Sequence, residues 1–168
     1  KGTNLDKIGL LSQDTSELFF VNFKVPKNQL LGNAGQGFAY LMQELPRERT
    51  AIAATALGAI RGCIDITVKY VQERQAFGQP IAKFQNTRFV LAQAKIDEQA
   101  VAAFYERCVA QYMAGTMDVQ TAAAIKAFST DMQMKVADSL LQLFGGYGYM
   151  TEYPISRFFV DARIQRIY

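Results

Sequence analysis

The chain has 168 residues, half of them hydrophobic and a fifth charged, and a net charge of only +3. That is enough for one sizeable core, but the positive charge is too small and dispersed to argue for nucleic acid or an anionic membrane as partner. There is no histidine, which excludes His-based triads and most zinc sites.

Residues 1–34 differ in kind from the rest of the chain. Leu18-Phe19-Phe20-Val21-Asn22-Phe23-Lys24-Val25 is rich in β-branched and aromatic residues and is stopped by Pro26, which predicts a strand. Gly9-Leu10-Leu11 predicts a shorter one. Two short strands cannot bury their own faces, so the segment is expected to be the end of a truncated β domain that continues upstream of Lys1. The first residue is not methionine, so a targeting signal could precede it. No apolar run of transmembrane length and no signal peptide is expected.

From residue 35 onward the pattern is helical. Phe38, Leu41, Leu45, Ile52, Ile60, Ile64 and Val68 mark a first helix to about Arg74, with Pro46 expected to bend it. A second helix is expected from about Asn86 to Ala114, with Phe89, Ile96, Ala100 and Ala103 on one face and Gly115 as its stop. Asp118 caps a third, striped by Ile125, Phe128, Met132, Val136, Leu140 and Leu143. A short fourth comes after Pro154, over residues 155–162. Such long helices on short loops give a mainly α fold, an antiparallel up-and-down four-helix bundle, preceded by one or two β-strands. The expected domains are 1–34 and 35–168. Cys63 and Cys108 fall inside helical patterns without a CxxC partner and read as buried free thiols of a reducing compartment.

Three places carry possible chemistry. Between the first two helices, Arg74-Gln75-Ala76-Phe77-Gly78-Gln79-Pro80 and then Phe84-Gln85 hold a guanidinium, aromatic rings, a glycine and an amide. That set suits a phosphate and a flat heterocycle; it also suits a connection whose phenylalanines plug the bundle end. In Leu45-Pro46-Arg47-Glu48-Arg49, Glu48 lies one turn from Leu45 and Ile52 and is expected near the apolar face, where burial favours a general base. The alternative is an exposed ion pair with Arg47 or Arg49. Gln142-Leu143-Phe144-Gly145-Gly146 is either a helix cap or a backbone surface that a ligand can approach closely.

In this order and spacing the three places resemble the C-terminal half of the acyl-CoA dehydrogenase family, together with Tyr147-Gly148-Tyr149, Glu152-Tyr153-Pro154 and Asp161-Ala162-Arg163. The resemblance implies a flavoenzyme whose FAD is shared between subunits of a dimer of dimers. Arg74, Ala76, Phe77, Phe84, Gln85, Gln142, Gly145 and Gly146 would hold the adenine and pyrophosphate end of a neighbour's FAD. It further implies α,β-dehydrogenation of an acyl-CoA thioester, with electrons passed to an electron-transferring flavoprotein. Most members place the base directly after the residues matching Ile167-Tyr168; the long-chain and isovaleryl types place it at Glu48, and Leu45-Pro46-Arg47-Glu48-Arg49 looks like theirs. Leu45, Arg49 and Tyr168 would border the substrate. The expected location is the cytoplasm in a bacterium or the mitochondrial matrix in a eukaryote. An acyl-CoA oxidase, a DNA-binding relative and an oligomerisation bundle are the rival readings.

Overall fold

A computed structural model describes Lys1–Tyr168. Four helices dominate it: α1 (Gly37–Glu73), α2 (Gln85–Met113), α3 (Val119–Leu143) and the shorter α4 (Pro154–Gln165). The mainly helical architecture expected from the apolar periodicity is the one observed. The 37 residues of α1 run through Pro46 without a break, although proline supplies no N–H to the carbonyl one turn earlier. Asp118 caps α3 as expected, accepting from the Thr121 N–H at 2.6 Å.

One core joins all four helices: Leu57, Ile60 and Cys63 from α1, Ala94 and Val101 from α2, Val136 and Leu140 from α3, and Ile155 from α4. α1 packs most extensively on α3. Cys63 and Cys108 are free and buried, and burial pushes the Cys63 thiol up to about 12, where it is no nucleophile. α1 is long and apolar enough by length and composition to cross a membrane, with mean hydropathy 1.5 in its most apolar stretch. That corrects the expectation that no run reaches such length. The core helix of a bundle meets the same criterion, and α1 is packed against α2, α3 and α4.

Two other expectations need correction. No ladder forms in residues 9–11 or 18–25. Most of their side chains find no face to pack on, leaving Leu11 79% and Val21 81% exposed, and a strand without a partner and a buried face is not stable. A hydrogen bond from the Leu10 N–H to Asp161 Oδ1, 2.6 Å, anchors this segment to α4. On α2, the Phe89, Ile96, Ala100 and Ala103 face points to solvent. The core takes the opposite face, Thr87, Ala94, Val101, Ala102 and Cys108, together with Asp97 and Glu98. These carboxylates are tolerated because each is paired: Glu98 with Arg61 of α1 at 2.7 Å and Lys95 at 2.6 Å, Asp97 with Lys135 of α3 at 2.9 Å.

Candidate functional site

The segment between α1 and α2 is a hairpin. Strand β1 (Gln75–Ala76) pairs antiparallel with β2 (Gln79–Pro80), Ala76 opposite Gln79. That leaves Phe77 (φ 52°) and Gly78 (φ 77°) as the two turn residues, and a two-residue hairpin turn with both φ positive matches the twist of its strands. Phenylalanine is a poor choice for left-handed backbone, and Phe77 is also 95% exposed. Its ring meets only Phe84, edge on, at 6.1 Å between centroids. An aromatic held out at the cost of backbone strain is a mark of a contact surface.

Behind the hairpin lies a cavity of about 590 Å³. Arg74, Gln142, Gly145 and Gly146 all line it, with Tyr70, Ile81, Tyr147 and Glu152. Its floor is an aromatic stack: Tyr70 lies on Phe144 at 4.0 Å, and Tyr153 meets both edge on. Arg74 has no carboxylate partner within ion-pair distance; its guanidinium instead lies over the Tyr147 ring at 5.2 Å. That leaves its donor fork free for an anion.

The glycine turn after α3 does two separate jobs. Gly145 ends the helix in left-handed backbone (φ 57°), and a Cβ there would touch nothing within 4 Å, as at Gly146. This open backbone is both a cap and an approachable surface, so the two readings of the turn coexist. Gly148 is buried, and a Cβ there would lie 2.7 Å from the Leu141 carbonyl oxygen. Only glycine lets the turn close against α3.

Ala76, Phe77, Phe84 and Gln85 do not line this cavity. They sit on the hairpin and at the start of α2, Phe77 and Gln85 exposed and Ala76 and Phe84 half-buried.

The Glu48 segment lies toward the other end of α1. Residues 48 and 74 are 26 positions apart, roughly 40 Å at 1.5 Å per residue, so one small ligand cannot span them. Glu48 is exposed, against the expectation of a carboxylate near the apolar face. The core direction of α1 is set by Ala53, Ala56, Leu57 and Ile60, and helical geometry turns position 48 onto the far flank. The alternative, an exposed ion pair with Arg47 or Arg49, matches the exposure of Glu48 but not its partners: Glu48 forms no ion pair, and Arg47 binds Glu44 at 2.7 Å. Leu45 and Arg49 are half-buried on the inner flank. Tyr168 lines a second, more apolar cavity of about 450 Å³ between residues 7–15 and α4.

The chain matches the family described as "Acyl-CoA dehydrogenase, C-terminal domain" over residues 35–168. The chain belongs to the acyl-CoA dehydrogenase family. The mitochondrial long-chain specific acyl-CoA dehydrogenase of Mus musculus is 42% identical over all of this chain and 39% of its own length. A crystal structure of acyl-CoA dehydrogenase from Geobacillus kaustophilus superposes with TM-score 0.95 at 41% identity, over 99% of this chain and 44% of that one. A structure described as the electron transferring flavoprotein of Acidaminococcus fermentans gives TM-score 0.94 at 37% identity, with the same coverage. The chain thus spans about two fifths of the length of the relatives it matches.

Sequence reasoning missed Tyr70 and gave Tyr147 and Tyr153 no role in the site. Tyr70 stands one helical turn before Arg74, which was a usable signal, since positions four apart share a helix face. The approach of Tyr147 and Tyr153 to that face depends on how the turn after α3 folds back over α1, and no local pattern encodes it. Lys126 was missed as well: from α3 it reaches the Tyr168 ring.

Proposed function

We propose that residues 1–34 end a middle β domain and residues 35–168 form the helical domain of a flavin-dependent acyl-CoA dehydrogenase. The observation that carries this reading is the convergence of Arg74, Gln142 and the Gly145–Gly146 backbone on one cavity beside a strained, exposed Phe77. These residues fit a dinucleotide. Arg74 offers a planar donor fork to a pyrophosphate, and the open glycine backbone admits a flat ring at close range. Ala76, Phe77, Phe84 and Gln85 on the rim would complete the contact.

Because Glu48 and Arg74 lie at opposite ends of α1, a site using both needs two copies of the chain, the Arg74 end of one holding the FAD that serves the other. The exposed α2 face, Phe89, Ile96, Ala100 and Ala103, supplies surface for such association, and a dimer of dimers is the assembly we expect. Sedimentation of the full-length protein as a monomer at micromolar concentration would contradict it.

Glu48 is the base in this reading. The thioester carbonyl acidifies the α-hydrogen of the acyl-CoA, and Glu48 takes it as a proton. FAD, when bound, supplies the acceptor for the β-hydrogen and its electron pair, so the acyl-CoA becomes the trans-2-enoyl-CoA. Leu45, Arg49 and Tyr168 border the acyl group. The apolar cover that a carboxylate base needs must come from a second copy or from parts of the protein beyond residues 1–168. An electron-transferring flavoprotein is the proposed acceptor, in keeping with the Acidaminococcus fermentans neighbour, and the matrix or cytoplasm the proposed location.

The experiment is anaerobic mixing of the full-length, flavin-loaded protein with acyl-CoAs of graded chain length. Bleaching of the flavin with formation of the enoyl-CoA is expected for at least one. Stable oxidised flavin with every acyl-CoA would contradict the reading.

A further inference from the structure

α3 carries two lysines, and they are placed differently. Lys135 pairs with Asp97, whereas Lys126 has no carboxylate within ion-pair distance. The Lys126 Nζ lies over the Tyr168 ring, 5.9 Å from its centroid, at the outer reach of a cation–π contact. Burial first, and the Arg49 guanidinium second, push the Lys126 ammonium below its ordinary range, with Asp131 opposing. Two half-buried cations from α1 and α3 thus stand near each other without an acid between them. Such a placement is unfavourable by itself.

The tail beyond α4 shows what it accomplishes. Arg166 binds Asp131 of α3 at 2.6 Å. The Ile167 and Tyr168 N–H groups both donate back to the Ile164 carbonyl, at 2.8 and 3.2 Å. The tail is therefore fixed on α3 at successive points, the ion pair at Arg166 and the ring contact at Tyr168. We propose that Lys126 is a positioning residue of the acyl-CoA site: it holds Tyr168 against α3, so that the α4 tail keeps one fixed face toward the cavity of about 450 Å³ that Tyr168 lines. This rests on the acyl-CoA reading above and adds to it a residue that the sequence motifs do not include.

A residue that shapes a binding wall acts on substrate affinity more than on the limiting rate. The test uses full-length, flavin-loaded protein and palmitoyl-CoA, with flavin bleaching followed anaerobically over a range of concentrations. Lys126→Met is expected to raise the half-saturating concentration roughly three- to thirtyfold, the range of a partly buried cation–π contact. The limiting rate, flavin content and thermal midpoint should stay near wild type. Lys126→Arg should restore affinity, because a guanidinium stacks on an aromatic face. Tyr168→Leu should reproduce the loss, and the Lys126→Met/Tyr168→Leu double variant should lose no more than either single one. Additive losses would overturn the proposal. So would an Arg variant as weak as the Met variant, a loss explained by lower flavin content or thermal midpoint, or an unchanged affinity. If Lys126→Met does not fold, the comparison of Tyr168→Leu with Lys126→Arg/Tyr168→Leu decides, equal affinity being the expected result. A wild type that palmitoyl-CoA and butyryl-CoA both fail to bleach would instead overturn the acyl-CoA reading, and this proposal with it.

Discussion

The two ends of α1 are finished to different degrees. At the Arg74 end the chain supplies its own hairpin and, beside it, an aromatic floor and a glycine turn that line one open cavity. At the Glu48 end the candidate base is exposed, Phe38 and Leu41 face solvent, and residues 1–34 form no strand and leave most of their apolar side chains uncovered. The first end is built from contacts between neighbours in the chain's own bundle. The second lacks the groups that would cover it. A cavity made by one chain can be tested by substitution at its lining; an open end must be tested where its cover is present, in the full-length protein.

The largest expected effect belongs to the open end. Glu48→Gln in the full-length protein should leave flavin bound but slow its reduction by acyl-CoA by roughly 10²–10⁴, the usual worth of a positioned acid or base. Near-normal reduction would move the base elsewhere, and the segment after Tyr168 would be the place to look. A smaller effect probes the Arg74 end. Gly148→Ala forces a methyl group against the Leu141 carbonyl oxygen, and overpacking of this kind costs about 1–3 kcal/mol. The expected result is a lower thermal midpoint and weaker flavin retention, since the displaced turn carries Gly145 and Gly146. An unchanged midpoint would show that the turn can move freely.

The bundle between the two ends should respond least, and with a pH signature. Burial pushes the Glu98 carboxyl up, but hydrogen bonds from Lys95 and Arg61 outweigh it and hold it below the usual carboxylate range. A carboxyl depressed in the folded state adds stability that is present above its unfolded pKa and is lost as pH falls through the folded one. Glu98→Gln should therefore lower stability by about 1 kcal/mol at neutral pH, since both cationic partners are more than half exposed, and flatten the loss of stability on acidification below the ordinary carboxylate range. Parallel pH curves for variant and wild type would mean that the pair contributes nothing.

The same contrast explains how much of this molecule could be read from its sequence. The four helices, the Asp118 cap and the buried cysteines follow from period, capping chemistry and hydrophobicity, all properties of nearby residues. The motifs around Arg74 and residues 142–146 point to one another because each sits at the C-terminal end of a helix, and α1 and α3, two chain reversals apart in an up-and-down bundle, run the same way and end together. What failed depends on partners. The 18–25 segment has strand composition but no ladder to join, and the Phe89–Ile96 face of α2 reads as core because periodicity reveals an apolar face without saying what covers it. Asp97 and Glu98 are buried because Lys135 and Arg61 lie across from them, which no pattern within α2 discloses. Glu48 was misplaced because its spacing from Leu45 and Ile52 holds, while the core of α1 lies on another side.

The most direct test of the central claim, that the Arg74 end holds a flavin, is the FAD affinity of the full-length Arg74→Lys variant beside wild type. Lysine keeps the charge but loses the planar two-pronged donor. A lost charge-assisted contact of about 1.5–3 kcal/mol corresponds to roughly ten- to more than a hundredfold weaker binding. The account predicts that loss in a protein with unchanged oligomeric state and thermal midpoint measured without flavin. Equal FAD affinity in a folded oligomer would contradict it and return Arg74 to the role of a stacking partner for Tyr147.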